Sequence, residues 1–552
     1  MESPVSFMRK LLKLTAKYGW GTTLVVLGAF AVGFTWSSSD ELYSNIRLFD
    51  RVALMVYRSY VEDLDETKMV KAGIDGMLTK LDKYTKYLDG PDYLYLRQET
   101  DGRIEGIGAY LEIHRDTLTV TSVQEGSPGY KIGIRPGDRI LTIDSVQTTG
   151  KAMGEIRTLI QGPIGSNISL RVSRPGDGEF EVTTERAEIQ IDPIPYCGMI
   201  SDDVGYARLV RFSEDCYESL RKALFDLKRQ GMKSLILDLR GNPGGLLSEA
   251  IRVAGAFLPA NTAIVETRGR NDSLDGLYVS DGPPIFESGG LAVLVDSETA
   301  SAAEIVAGAI QDHDRGVVIG DSTYGKGLVQ QILQLTDDSA LKITASKYYL
   351  PSGRCLQKPG WSDFELTSND MDDYEDEMFT TVSGRPVFGG GGIVPDIFID
   401  GTDESEYVAA MRRQSLFFDF ATEYLRRSTV KGEFEIDDTI MVEFREFVNL
   451  RGFEFEDDDQ LAFDDFKNSF SVIDDESRQA IDVLDSRLSS RDQWLFDSHY
   501  MEIARNLKEA VTLQARGEKS LYRIWTESQP QILEAADILS NQQKYEAILA
   551  HR

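Results

Sequence analysis

Leu291-Ala292-Val293-Leu294-Val295-Asp296-Ser297-Glu298-Thr299-Ala300-Ser301-Ala302-Ala303-Glu304-Ile305 begins with five unbroken apolar residues, crosses a short polar segment, and resumes an apolar pattern at helical spacing. An apolar run without alternation predicts a strand covered on both faces. The pattern after it predicts a helix over about 301–311. Working outward, residues 205–210 and 234–239 predict further strands, and residues 219–230 and 246–257 predict amphipathic helices. Strands alternating with helices imply a central sheet with helices packed on it.

The junction also places a serine where chemistry profits. Ser301 stands where a buried strand gives way to a helix, beside uncommitted backbone N–H groups and the positive end of the helix dipole. A developing oxyanion needs such fixed donors. The same residues read equally as a capping box in which Ser301 and Glu304 only start the helix. A serine hydroxyl also needs a base. His313 lies at the far end of the same predicted helix, and His114, His499 and His551 fall in other predicted regions, so chain order points away from a Ser-His-Asp triad. Thr323-Tyr324-Gly325-Lys326-Gly327-Leu328-Val329-Gln330 supplies a lysine between two glycines at the start of a predicted strand. A lysine acts as base only when desolvation keeps it neutral. The segment is no phosphate-binding loop, because the preceding Gly-x4-Gly and the following Ser or Thr are missing.

Upstream, residues 103–188 change to short strands with Gly and Pro punctuation. Strands are predicted at 118–123, 139–143 and 168–172, with a short helix at 151–160. Glu105-Gly106-Ile107-Gly108-Ala109-Tyr110-Leu111 runs a glycine loop into a strand, and Gly133-Ile134-Arg135-Pro136-Gly137-Asp138-Arg139-Ile140-Leu141 is a turn followed by a strand. Together these resemble a PDZ domain. The resemblance implies that Gly106, Ile107, Gly108 and Ala109 offer backbone N–H groups to a peptide C-terminal carboxylate while the peptide adds as an extra strand.

The serine and lysine segments taken together resemble the C-terminal processing peptidase family. Its nucleophile segment, a serine followed by small residues and a glutamate, matches Ser301-Ala302-Ala303-Glu304. Its Phe/Tyr-Gly-Lys-Gly base segment matches Tyr324-Gly325-Lys326-Gly327, with Lys326 the family's 25 residues after Ser301. The glutamine that orients the amine there matches Gln330. Asp238-Leu239-Arg240-Gly241-Asn242-Pro243-Gly244-Gly245 matches the strand-end glycine turn, as do Pro351-Ser352-Gly353-Arg354 and Gly392-Ile393-Val394-Pro395-Asp396 further on. The resemblance covers about residues 42–400. It implies a serine endopeptidase with Ser301 as nucleophile, Lys326 as base and Gln330 as its orienting partner. The oxyanion hole would come from Ala302 and from Gly244, with Gly245 as the second choice. No cofactor or metal is implied. A non-catalytic envelope adaptor that binds C-termini through the PDZ module is the reading from another class.

The remaining features bound the setting. The 552 residues predict several domains: an N-terminal segment over 1–39, a helical region over 40–100, the PDZ-like β domain over 101–190, an α/β serine peptidase core over 191–402 completed by flanking segments, and a largely helical, acidic region over 403–552. A net charge of -31 excludes nucleic acid as a partner, since a phosphate backbone must be met by clustered Lys and Arg. The expected partners are proteins or peptides with accessible C-termini, with a homo-oligomer or an adaptor in reserve. Arg9, Lys10, Lys13 and Lys17 precede an apolar run over 18–36, and Asp40 and Glu41 follow it. The run is long enough to cross a bilayer, so it predicts a single N-terminal transmembrane anchor, with the N-terminus in the cytoplasm and the body on the periplasmic side of the inner membrane. A cleaved signal peptide, with Ala29 and Ala31 as processing residues, would export the body too. Cys197 and Cys216 form a disulfide or, with Cys355, stay as thiols. The acidic stretch 363–377 reads as a solvated loop without the spacing of a calcium loop. Phe417, Phe418, Phe420 and Tyr424 read as one core-facing helix side.

Overall fold

A computed structural model describes residues 41–270, 272–361, 377–399, 404–430, 432–455, 474–489 and 491–550, with positions 463, 466 and 467 between. The apolar run 18–36 and nearly all of the acidic stretch 363–377 lie outside the described residues. Among the described residues, no helix is long and apolar enough to cross a membrane.

The chain divides into two units, residues 1–81 and 82–552. In the described part of the first, residues 41–59 form a helix and Glu66–Leu78 a second one. Asp65 caps the second through its carboxylate, which accepts the Lys68 N–H at 3.0 Å.

The larger unit is built on a six-stranded sheet. Its strands lie in chain order: Tyr196–Met199, Val204–Arg208, Ser234–Asp238, Leu291–Val295, Val317–Gly320 and Ile397–Phe398. All neighbours after the first pair run parallel. The predicted strand at 291–295 is fully buried, and period two sends its side chains to opposite faces. Leu291, Val293 and Val295 pack under the helices Cys216–Arg229, Leu247–Gly255 and Ala302–Asp312. Ala292 and Leu294 face the other way and are covered by Ile532, Ala535, Ile538 and Leu539 of the helix Pro530–Ser540. The far C-terminal region, in which the sequence showed no motif, thus supplies the second layer of the α/β core. Each buried aliphatic side chain there contributes on the order of 1.5–3 kcal/mol.

A second, antiparallel sheet joins Ser339–Tyr349 to Leu328–Thr336, Ala263–Gly269 and Lys86–Asp89, with Gly276–Val279 beyond Ala263–Gly269. Lys86–Asp89 departs from expectation, because its stretch reads as helical up to a turn at Asp89-Gly90-Pro91. Instead the strand pairs with Ser339–Lys342 and is followed at once by the helix Gly90–Asp101. Pro91 starts that helix, since a missing N–H costs nothing in a first turn.

The PDZ-like module is a five-strand path: Ala109–His114, Thr117–Val123, Arg139–Ile143, Asn167–Arg174 and Gly178–Glu185, with Met153–Ile160 as its helix. Ile107, Leu118, Val120, Ile140, Ile156 and Ile168 are among its core residues. Arg103–Gly106 pairs with Ala187–Gln190 where the chain enters and leaves the module. The helical region packs Phe417 and Phe420 against Phe444 and Phe447, as the aromatic pattern suggested. Phe418 turns instead toward the ring of His114 in the PDZ-like module. All three cysteines are free, so Cys197 and Cys216 do not pair.

Candidate active site

The strand Leu291–Val295 ends in a turn held by Asp296, whose carboxylate accepts the N–H groups of Gly241, Glu298 and Thr299. Ser301 follows with φ 56° and ψ −116°, a conformation that a residue with a Cβ adopts only under strain. Its hydroxyl makes no capping hydrogen bond. Only the glutamate half of the capping box forms: Glu304 Oε2 accepts the Ser301 N–H at 2.8 Å.

Glu304 does much more than start a helix. It is fully buried, and the same Oε2 accepts the Lys326 N–H at 2.9 Å. Its Oε1 accepts the Thr323 hydroxyl at 2.6 Å and the Gly325 N–H at 2.8 Å. Burial pushes its pKa up, and these donors pull the other way. Every partner donates, so the group is held as an acceptor-only carboxylate. One side chain thereby ties the backbone of Ser301 to the backbone of Lys326. Tyr348 repeats the tie from the acceptor side, donating its hydroxyl to the Lys326 carbonyl at 2.6 Å and the Ser301 carbonyl at 3.3 Å. The sequence offered no signal for Tyr348, which lies on a strand remote in the chain. Glu304 was visible as a capping residue and as the glutamate of the nucleophile segment, but not as the link between the two turns.

The Lys326 ammonium donates to Gln330 Oε1 at 3.2 Å and sits 5.0 Å from the centre of the Tyr84 ring. Burial, and then the neighbouring ammonium of Lys342, pull its pKa down to about 8. Among the described residues no hydrogen bond joins it directly to the Ser301 hydroxyl. Such contacts tighten in complexes with substrate. Ser301, Ala302, Lys326, Gln330, Gly244 and Gly245 nevertheless line one cleft of about 370 Å³. Among the described residues no histidine lines it: His313 is bound to the Ala263 carbonyl and His114 to Asp419.

The two oxyanion glycines differ. Gly244 packs against Ser301 so closely that an added Cβ would come within 2.9 Å of the Ser301 Cβ, but its N–H donates to Asn242 Oδ1 at 2.9 Å. Gly245, held at φ 146° with Phe212 against it, has no hydrogen-bond partner for its N–H among the described residues. The Ala302 N–H, at the first helical position, is likewise uncommitted among the described residues. The turn is anchored from behind by Asp238, a buried carboxylate bound by Tyr206, Arg208 and Arg240. Arg240 in turn reaches Gln529 and Gln531 of the C-terminal region. Arg354 of the Pro-Ser-Gly-Arg segment and Asp396 of the Gly-Ile-Val-Pro-Asp segment brace the far end of the Ser301 helix. Arg354 pairs with Asp312 at 2.7 Å, and Asp396 accepts from Gln311 at 3.0 Å.

Gly106, Ile107, Gly108 and Ala109 line a separate groove of about 340 Å³ between the strand Ala109–His114 and the helix Met153–Ile160. Among the described residues that strand pairs on one side only, with Thr117–Val123. Gly108, at φ 72°, lies against Ser127, where a Cβ would come within 2.3 Å of the Ser127 Cβ. The groove and the catalytic cleft share two lining residues, Glu99 and Arg211, which form an ion pair at 2.7 Å.

Three protein-family profiles match the chain: peptidase family S41 over residues 203–363, PDZ domain over 119–174, and the C-terminal helical domain of a probable PDZ-protease over 407–539. The chain is 33% identical over 358 residues to the carboxy-terminal-processing protease of Bartonella bacilliformis, covering 64% of this chain and 81% of that one. It is 32% identical over 361 residues to the carboxy-terminal processing protease CtpA of Bacillus subtilis, covering 64% and 76%. It is 35% identical over 300 residues to the carboxyl-terminal-processing protease of Synechocystis, covering 52% and 68%.

Proposed function

The chain belongs to peptidase family S41, as a carboxy-terminal-processing serine protease with a PDZ domain, and from that premise we propose that it cuts peptide bonds by a Ser301–Lys326 mechanism. The neutral Lys326 amine takes the Ser301 hydroxyl proton as the oxygen attacks the scissile carbonyl. The tetrahedral oxyanion rests on the uncommitted N–H groups of Ala302 and Gly245, with Gly244 shaping the approach. The Lys326 ammonium then returns its proton to the leaving amine, and water, deprotonated by the same lysine, hydrolyses the acyl-enzyme. Gln330 keeps the amine aimed. The observation that carries this reading is the double tie of Glu304 and Tyr348, which fixes the two backbones that bear the serine and the lysine. Strain at Ser301 is retained because those ties over-determine it.

The PDZ domain captures a protein C-terminus in the groove beside Ala109–His114. The carboxylate meets the Gly106–Ala109 loop and the peptide adds as a strand along the open edge. The segment over 1–39 places the body on the periplasmic side of the inner membrane.

Cleavage of an unfolded protein with an apolar C-terminus tests the reading, with wild type run beside Ser301→Ala and Lys326→Ala. Wild-type cutting with both variants folded and inert is the expected result. Equal activity in all three overturns the site assignment. Binding of C-termini by a folded but inert wild type returns the protein to the adaptor reading.

A further inference from the structure

Lys342 is a cation in the catalytic cleft with no role in the mechanism above. It lies on the strand Ser339–Tyr349, directly across from Ile332 on one side and from Lys86 on the other. Ile332, Gln330 and Lys342 all line the cleft that holds Ser301 and Lys326. Among the described residues, the ammonium groups of Lys342 and Lys86 have no ion pair or hydrogen bond. The carboxylate of Glu99 lies near Lys342, yet it is committed to Arg211 at 2.7 Å and to the Tyr95 hydroxyl. Two lysines directly opposed across paired strands repel each other, and burial of one adds a desolvation cost. Lys326 adds a third amine to the same neighbourhood. Asp82 and Glu304, the carboxylates that face Lys326, are likewise taken up by other donors, Asp82 by Tyr84, Thr85 and Thr344 and Glu304 by Ser301, Thr323, Gly325 and the Lys326 backbone N–H. In a chain of net charge -31 these amines are thus left to receive a carboxylate from outside.

We propose that Lys342, reinforced by Lys86, is an anion subsite of the catalytic cleft that takes a carboxylate of the bound peptide. The ligand is a carboxylate of either origin, an acidic side chain near the cut or the terminus of a short leaving segment. This rests on the peptidase reading above, because the ligand is the substrate of that site. A charge-assisted contact of this kind is a specificity device: a partly desolvated amine left unpaired by a neutral substrate penalises that substrate.

The test compares kcat/KM for matched peptides on wild type, Lys342→Met and Lys342→Arg. The reference peptide is amidated at its C-terminus and carries Gln near the cut. Its relatives carry a free terminus, or Glu for Gln at single positions. Wild type is expected to prefer one carboxylate-bearing peptide about tenfold or more. Lys342→Met should bring that ratio close to one, and Lys342→Arg should retain a preference. Removing Lys342 also alters the basicity of Lys326, but that change acts on all peptides alike and cancels in the ratio. A preference located at a Glu position assigns a side chain, and one located at the free end assigns the terminus. No preference in wild type overturns the proposal. So does a preference that survives Lys342→Met, which would belong to the PDZ groove. Failure of the peptidase reading itself is distinguishable, because Ser301→Ala would then cleave as wild type does.

Discussion

Raising the pH should switch the enzyme on through one ionisation, that of Lys326. The base works only when neutral, and its pKa is drawn down to about 8 by burial and by Lys342. With that midpoint about one molecule in ten is competent at pH 7 and about nine in ten at pH 9. A plot of log kcat/KM for a fluorogenic peptide should therefore climb with a slope near +1 below about pH 8 and level off above it. The same burial has a stability counterpart. Between about 8 and the ordinary lysine value of 10.5, the unfolded chain holds a proton that the fold has released. Stability from this group thus rises with pH across that window, and the fold carries the full penalty below it. The gap corresponds to about 3 kcal/mol. Lys326→Met should accordingly be inert yet more stable than wild type at pH 7, by roughly 1–3 kcal/mol after lost contacts are counted. Urea melts of the two proteins at pH 7 and pH 10.5 should show that advantage shrinking as the pH rises. A profile that is flat, that falls through pH 8, or that inflects near 6.5 as histidine would, refutes the reasoning. So would a Lys326→Met variant less stable than wild type at pH 7.

Glu304→Gln must turn an amide NH2 toward one of two pairs of donors, the Ser301 and Lys326 N–H groups or the Thr323 hydroxyl and Gly325 N–H. Each charge-assisted bond is worth about 1.5–3 kcal/mol, so kcat/KM should fall by about a hundredfold or more and Tm should drop. Normal activity with an unchanged Tm would show that the tie is dispensable. Gln330→Glu places a carboxylate where Oε1 now accepts from Lys326 at 3.2 Å, which favours the ammonium. The midpoint of the pH profile should move up by about 1–3 units, and an unmoved midpoint would count against Gln330 as the partner of the amine. Ile538→Asp puts a charge without a partner against the buried sheet face. A loss of about 3 kcal/mol or more should appear as a lower Tm or as aggregation, and a wild-type melt would show that the C-terminal helix is not part of the core.

What the sequence determined by itself was local and periodic. Five apolar residues at 291–295 required a covered strand, and the helical spacing after Ser301 required the helix that points its N-terminus at the cleft. The segments around Ser301, Lys326 and Gln330 stood out in the sequence through their paired resemblance to a family's motifs, and the fold brings all three residues to one cleft. Glycine punctuation likewise disclosed the PDZ module. Tertiary structure alone decided which groups from distant segments meet. Tyr348 reaches two carbonyls from a strand of the second sheet. Glu304 links the serine turn to the lysine turn. Lys86 leaves a stretch of helical appearance to become a strand beside Lys342. The helix Pro530–Ser540 closes the sheet from the far end of the chain. Periodicity records which face of an element is buried, but it does not record what buries it. That the Gly244 amide is committed to Asn242, whereas the Gly245 amide has no partner among the described residues, is a fact of three-dimensional geometry that residue types do not encode.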